Sequence, residues 1–201
     1  MTNKITYLFF KRIFDISFSL IILSTVLVWI TPIFAIIIRF ESKGNPFFIQ
    51  KRIGKNRKIF SCFKFRTMKI NSIPEKQANY NDNRITKFGR VLRYSGLDEL
   101  PQFLNILLGQ MSVVGPRPHM IIHNEKFETQ ISKYKERHKV KPGITGLAQI
   151  RGCRGQIEHI ADLKIRLKHD LNYINRMNLG LDIYIVFVSI VNMLKGAKNA
   201  Y

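Results

Sequence analysis

Asp98 and Glu99 stand side by side in Ser95-Gly96-Leu97-Asp98-Glu99-Leu100-Pro101-Gln102, the only adjacent acidic pair in a chain with 33 Lys and Arg against 13 Asp and Glu. Paired carboxylates in so basic a background suit chemistry on a strongly anionic substrate. Val114-Gly115-Pro116-Arg117-Pro118 follows closely. Prolines on both sides restrict the backbone about Arg117, and the residue before a proline is driven to extended conformations. Arginine is the natural bidentate partner of phosphate. A pre-set arginine beside two carboxylates points to an enzyme and to phosphate.

The elements that must carry these residues can be read from periodicity. Leu100, Phe103, Leu104, Leu107 and Leu108 recur at helical spacing, Pro101 suits a first turn and Gly109 a stop, which predicts a helix over 98–109 with the acidic pair at its N-terminus. Capping and the helix dipole are the ordinary explanation of acids there. The same position also keeps a carboxylate ionised, as a nucleophile or metal ligand requires. Residues 58–68, KIFSCFKFRTM, read as a strand with Phe63 and Phe65 on one face and Lys64 and Arg66 on the other. Two cations there could hold a phosphate, or lie on a solvated face. Arg84, Lys87, Arg90 and Arg93 recur every three residues and line one helix face, a stripe that fits a polyphosphate, an anionic membrane or plain solvent.

Elsewhere a short strand is predicted at 47–50, a polar loop with Pro74 at 70–83, and a helix over about 156–177. A second Pro/Gly turn, Lys141-Pro142-Gly143-Ile144-Thr145-Gly146, also carries a cation. His119 and His123 have i,i+4 spacing without a third metal ligand and are expected on a helix surface. Cys62 and Cys153 lie far apart without CxxC spacing and read as reduced packing residues.

With 201 residues, 46% apolar and 23% charged, the chain holds one medium folded domain with at most a small appendage. Its net charge of +20 leaves nucleic acid, an anionic membrane surface or a polyphosphate as partners. Residues 16–38 carry no charged side chain. As one helix they would extend roughly 35 Å, enough to cross a hydrocarbon core of about 30 Å. The length of the run and the lack of a small-x-small site argue against a cleavable signal peptide. Lys4, Lys11 and Arg12 precede it, and Arg39, Lys43, Lys51 and Arg52 follow, so both flanks favour the cytoplasmic face. Thr31-Pro32 lies inside, where proline favours a kink. A helix that bends back to its entry face satisfies both flanks; a tilted single crossing is the alternative. The apolar run 183–194 is too short to span and reads as interfacial or core.

Five blocks then carry a resemblance: Lys11-Arg12-Ile13-Phe14-Asp15, Lys64-Phe65-Arg66-Thr67-Met68, Leu97-Asp98-Glu99-Leu100-Pro101-Gln102, Ser112-Val113-Val114-Gly115-Pro116-Arg117-Pro118 and Lys141-Pro142-Gly143-Ile144-Thr145-Gly146-Leu147-Ala148-Gln149. In this order, from about residue 8 to the C-terminus, they resemble the bacterial sugar transferase family, the monotopic polyprenyl-phosphate phosphoglycosyl transferases. His119, His123-Asn124-Glu125, Arg137-His138-Lys139-Val140-Lys141, Gly152-Cys153-Arg154-Gly155 and Ala200-Tyr201 resemble its undecaprenyl-phosphate glucose-1-phosphate transferase branch, catalytic domain only.

The patterns and the resemblance together predict a mostly helical α+β fold. Residues 1–40 would form a re-entrant membrane anchor broken near Pro32. Residues 41–201 would form a catalytic domain on the cytoplasmic face of the inner membrane, with a small β element near 47–68 and amphipathic interfacial helices. The resemblance implies transfer of a sugar 1-phosphate, with a lean toward glucose, from a UDP-sugar to undecaprenyl phosphate, releasing UMP and starting a surface polysaccharide or glycoconjugate. Asp98 would be the nucleophile, through a covalent phosphosugar ester, and Glu99 the ligand of Mg2+. Lys64, Arg66, Arg93, Arg117 and Gln149 would contact phosphate. Inner-membrane lipids are expected partners and nucleic acid is not; a homodimer is left open. Gln110 stands where an aspartate is usual, Thr31-Pro32 where Ser-Pro is usual, and Asn175-Arg176-Met177-Asn178 replaces an aromatic-containing stretch. The competing readings are a basic membrane-surface adaptor without catalysis and a transferase that moves the sugar without its phosphate.

Overall fold

Two apolar helices open the chain, α1 (Thr2–Ile22) and α2 (Val28–Glu41), joined by a π-helical turn at Leu23–Leu27. The computed structural model describes residues 2–70, 82–153, 155, 157 and 159–195; most of the expected loop at 70–83, and Ala200-Tyr201, lie outside them. The span Lys4–Glu41 is long and apolar enough to cross a membrane. Its α-geometry is interrupted at the π turn, whereas Pro32 lies inside α2. The Ser24 and Thr25 hydroxyls donate back to Leu20 O at 2.8 Å and Ile21 O at 2.6 Å, competing with the backbone ladder at the π turn. Pro32 lacks the N–H that would reach the carbonyl of Val28, which loosens the turn following the bulge.

One stripe of this helical pair packs on the rest of the molecule through Phe14, Phe18, Leu23, Leu27, Phe34 and Ile38. The opposite stripe, with Leu20, Ile21, Val28, Trp29, Ile33 and Ile36, is exposed. Polar contacts fix α1. Lys11 Nζ lies 2.8 Å from Asp182 Oδ2, Arg12 donates to Ile106 O and Leu107 O at 2.7 and 2.9 Å, and Asp15 accepts from Ser112 Oγ and Val113 N at 3.0 and 2.9 Å.

β1 (Phe47–Ile53) and β2 (Ile59–Phe65) form an antiparallel hairpin that pairs Phe48 with Lys64 and Gln50 with Cys62. β1 runs three residues past the predicted strand. Phe60 and Cys62 are buried in the main core, so the face bearing Lys64 is turned inward, not to solvent. The aromatic residue at 60 decides this, because it extends the apolar even-numbered face.

α3 (Lys87–Ser95) is capped by Thr86, which accepts from Gly89 N at 3.0 Å, and its Phe88 N donates to Glu41 at the end of α2. Arg84 precedes the helix and pairs with Asp82, so only Lys87, Arg90 and Arg93 of the predicted stripe are helical. Gly96, with φ 74°, ends α3. A 3-10 turn at Leu97–Glu99 follows, and α4 begins only after Pro101, at Gln102–Leu107. The predicted 98–109 helix is therefore shorter, and the acidic pair sits on the tight turn ahead of it.

β3 (Ser112–Val114) and β4 (Gly143–Thr145) pair in parallel. A Cβ on Gly143 would lie 2.1 Å from Gly115 N, so glycine is needed where the Gly115-Pro116-Arg117-Pro118 and Lys141–Gly146 segments cross. α5 (Ile121–Gln130) leads to a 3-10 stretch at Ser132–Lys139. The short α6 (Leu147–Ile150), then α7 (Ile160–Arg176) and α8 (Leu179–Leu194), complete the order. α8 buries Ile185 while Ile183, Phe187, Ile190 and Leu194 are exposed. The result is a mostly helical α+β fold. Its main core, around Phe103, Ile106, Met111 and Val114, lies beneath the acidic turn.

Candidate active site

The 3-10 turn aims both carboxylates at β2 and at the proline-flanked arginine. Lys64 Nζ donates to Glu99 Oε1 at 2.6 Å; Arg117 donates from Nη1 to Glu99 Oε2 at 2.8 Å and from Nη2 to Oε1. Glu99 is thus held bidentately by a guanidinium and capped by an ammonium. Burial alone would raise its pKa, but Arg117 and Lys64 hold it well below the usual carboxylate range. Glu99 in turn raises the pKa of Arg117.

Asp98 is treated differently. Its side chain is buried, yet it accepts no hydrogen bond among the described residues, and its nearest cation is Lys64, 4.0 Å away. Burial pushes its pKa up and Glu99 adds to this, while Lys64, Arg93 and Arg117 oppose both. Asp98 is thus a desolvated carboxylate close to Lys64, Arg93 and Arg117 but hydrogen-bonded to none of them.

Supporting contacts fix this arrangement. Arg93 reaches inward from α3 to Thr67 Oγ1, 2.8 Å from its Nε. Asn105, on the buried side of α4, accepts from Phe63 N at 3.0 Å and donates to Ser61 O and Gln110 Oε1 at 2.7 and 2.6 Å. It thereby fixes the strand that carries Lys64, and Gln110 serves this clamp. Arg137, paired with Asp170 at 2.8 Å, donates to Arg117 O at 2.8 Å, and Arg52 donates to Pro118 O at 3.2 Å. Arg117 is therefore gripped through its backbone as well as its guanidinium.

Of the residues singled out from the sequence, Lys64, Arg93, Asp98, Glu99 and Arg117 come together. Arg66 does not join them: it donates to Lys43 O and Ser42 O and closes the C-terminal end of α2. The strand ends at Phe65, so alternation no longer holds Arg66 on the Lys64 face. Gln149 is buried and donates to Ile144 O at 2.7 Å, its Oε1 unpartnered. His119 is buried rather than on a helix surface, because α5 begins only at Ile121. Sequence reasoning missed Arg52, Asn105, Arg137 and Asp170 as supports. The one available signal was a polar Asn105 on the apolar face of its helix.

Among the described residues no cluster of three or more His, Cys, Asp or Glu could hold a metal ion. The donor set does suit Mg2+, which takes one or two carboxylates and completes its shell with phosphate oxygens and water. Asp98 has its lone pairs free, and Glu99 Oε2 accepts a single hydrogen bond.

The sequence profile of the family described as bacterial sugar transferase matches residues 6–196. A UDP-glucose:undecaprenyl-phosphate glucose-1-phosphate transferase of Klebsiella pneumoniae is 46% identical over 199 residues, covering 96% of this chain and 41% of the relative. An exopolysaccharide production protein, PSS, of Rhizobium leguminosarum bv. phaseoli is 40% identical, covering 94% of this chain and 97% of the relative. A UDP-N-acetylgalactosamine-undecaprenyl-phosphate N-acetylgalactosaminephosphotransferase of Aeromonas hydrophila is 40% identical over 195 residues, covering 94% of this chain and 45% of the relative. The chain thus spans less than half the length of the Klebsiella and Aeromonas proteins.

Proposed function

The chain belongs to the bacterial sugar transferase family, and from that premise we propose that it transfers a sugar 1-phosphate from a UDP-sugar to undecaprenyl phosphate, releasing UMP. The observation that carries this reading is the unequal pair: Asp98 buried and unbonded, Glu99 clamped by Lys64 and Arg117.

In the first step an Asp98 oxygen attacks the phosphorus that bears the sugar. An O–P bond forms, the bond to the bridging oxygen breaks, and its electron pair leaves with UMP. In the second, an oxygen of undecaprenyl phosphate attacks the same phosphorus, and the Asp98 carboxylate departs with the electrons of the ester bond. Two displacements replace one difficult encounter between anions. Lys64, Arg93 and Arg117 offset charge on the phosphoryl oxygens, largely electrostatic work of the kind such transfers require. Glu99 would hold Mg2+, which when bound would neutralise the diphosphate.

We place the enzyme at the cytoplasmic face of the inner membrane, with α1 and α2 inserted from one side, as the first step of a surface glycan. Support for partial insertion comes from the stripe of contacts. Lys11 near one end and Ile38 near the other both pack on the same body. That body includes the charged α3, which a hydrocarbon core would exclude.

The test incubates the protein with Mg2+, undecaprenyl phosphate and a panel of UDP-sugars, including UDP-glucose and UDP-N-acetylgalactosamine, while following UMP. We expect UMP with at least one donor, abolished in Asp98→Asn and Glu99→Ala. Release of UDP instead, or of no nucleotide from folded protein, overturns the reading.

A further inference from the structure

A single buried amide ties the element that carries the acidic pair to the strand that carries Lys64. The Asp98–Glu99 turn runs into α4 without a break in hydrogen bonding. Leu100 N donates to Leu97 O, Phe103 N to Leu100 O and Leu104 N to Pro101 O, at 3.2, 3.0 and 3.1 Å. Lys64 lies on β2, in a sheet of two strands, so one edge of β2 has no strand partner. Asn105 takes that edge. Its Oδ1 accepts from Phe63 N at 3.0 Å and its Nδ2 donates to Ser61 O at 2.7 Å. One side chain thereby satisfies backbone groups that a third strand would otherwise have to meet.

The Asn105 amide is fully buried and fits in one orientation. Phe63 N can only donate and Ser61 O can only accept, so the amide oxygen faces the first and the nitrogen the second. The other Nδ2 hydrogen points to Gln110, which must therefore present its Oε1, 2.6 Å away. Backbone bonds keep Gln110 folded back on Asn105: Gln110 N and Met111 N both donate to Asn105 O, at 3.0 and 3.2 Å. Both Nδ2 hydrogens and Oδ1 are thus engaged within the protein, and what the tie controls is a distance. Lys64 Nζ sits 2.6 Å from Glu99 Oε1 and 4.0 Å from Asp98 Oδ2, one residue along the chain from the bond to Phe63 N. Misplacing a reacting group by about 1 Å costs on the order of a hundredfold in rate.

We propose that Asn105, oriented by Gln110, sets the separation of Lys64 from Asp98 and Glu99, and with it the rate of the first displacement. Asn105 is a positioning residue: its side chain bonds β2 and Gln110, and it acts on the carboxylates through Lys64. Its kinetic consequence rests on the proposed function; the tie itself does not. Gln110 contributes an acceptor, so a carboxylate at that position would serve as well.

The test uses the full chain in phosphatidylcholine nanodiscs. Asn105→Asp keeps the side-chain shape but sets a carboxylate oxygen against Ser61 O and Gln110 Oε1. Single-turnover UMP release per folded molecule should fall about tenfold or more, with KM for the UDP-sugar little changed. Gln110→Met should give a smaller fall, and Gln110→Glu, which keeps an acceptor, should retain most of the rate. In a Lys64→Met background Asn105→Asp should have little further effect, because the group it acts through is gone. A second readout needs no turnover: limited acetylation mapped by mass spectrometry should modify Lys64 several times faster in Asn105→Asp and Gln110→Met than in the unaltered protein or Gln110→Glu. If Asn105→Asp does not fold, Gln110→Met carries both readouts. Equal rate losses with and without Lys64, or Lys64 labelling unchanged in the folded variants, overturns the assignment. Faster Lys64 labelling in the variants of a protein that turns over no donor upholds the tie and defeats the proposed reaction instead.

Discussion

Asp98 and Asp182 are both buried, and they stand in opposite relations to their surroundings. Asp182 is fully buried and accepts from Lys11 at 2.8 Å, Tyr7 at 2.9 Å and Tyr173 at 2.7 Å. Every strong donor aimed at it is satisfied, and it joins α1, α7 and α8. Asp98 is nearly as buried but accepts nothing from the described residues, its nearest ammonium 4.0 Å away. A buried carboxylate that is fully bonded is a fastener; one left unbonded among cations is held ready for another partner. Burial alone would have grouped the two together, and hydrogen-bond accounting separates them.

Asp98→Asn should produce the largest effect, and on activity alone. Loss of the nucleophile removes about three or more orders of magnitude of UMP release, measurable in a single-turnover assay. Its raised pKa fixes the stability sign: the folded state binds this proton more tightly than the unfolded one, so the charged form is unfavourable to folding as pH rises through that window. The melting temperature of Asp98→Asn at neutral pH should therefore hold or increase. Asp182→Ala should do the reverse. It strands the buried Lys11 and lowers stability by about 3–5 kcal/mol, read by chemical denaturation, with turnover per folded molecule preserved. A Lys11→Met/Asp182→Leu double variant should recover much of that loss, because the desolvation of both charges disappears together.

Acid gives the next contrast. Burial holds His138 down to about 4, and Arg137 and Arg57 reinforce it; His119 lies well below its usual value by burial and the surrounding arginines. Both histidines bind protons in the unfolded chain near pH 6.5 and not in the folded one. Their contribution is present above 6.5 and is lost as pH falls toward 4, roughly 3 kcal/mol for His138. Asp98 adds a separate signature in metal-free protein: its carboxyl, followed by NMR without Mg2+, should titrate above the ordinary aspartate value of 3.8. Glu99→Gln removes a like charge and should move that titration downward. A titration at or below 3.8 in the unaltered protein would remove the distinction drawn for Asp98.

Much of this site was legible because its motifs are local. The Asp98-Glu99 pair, the proline-bracketed Arg117 and the Lys64 strand could be read from adjacency, ring constraints and alternation. The supports could not. Asp170 meets Arg137 across 33 residues and Lys11 meets Asp182 across 171, and no periodicity in one chain encodes such pairings. Arg66 shows where a local rule fails: alternation holds only while the strand lasts, and β2 ends one residue too soon. The helix expected over 98–109 was displaced by the left-handed Gly96 and the 3-10 turn. An apolar count through that stretch is equally compatible with a shorter helix beginning after Pro101.

The smallest expected effect concerns the anchor, where the same accounting applies to a backbone group. Pro32 denies a hydrogen bond to the Val28 carbonyl, yet α2 continues across it, and the π turn at Leu23–Leu27 precedes it by one to two turns. If the proline merely loosens a helix already irregular at the π turn that Ser24 and Thr25 back-bond, Pro32→Ala changes stability by about 1 kcal/mol or less. That is below the roughly 3 kcal/mol assigned to proline in a helix interior, because the neighbouring irregularity already relieves the strain. Ser24→Ala/Thr25→Ala should then straighten the pair more than Pro32→Ala does, read as accessibility of cysteines placed at both ends of the span in sealed vesicles. Equal labelling of both ends from one side identifies the returning helix, and labelling from opposite sides identifies a crossing. A flip produced by Pro32→Ala alone would transfer the bend from the hydroxyls to the proline, making the unmade bond at Val28 the decisive one.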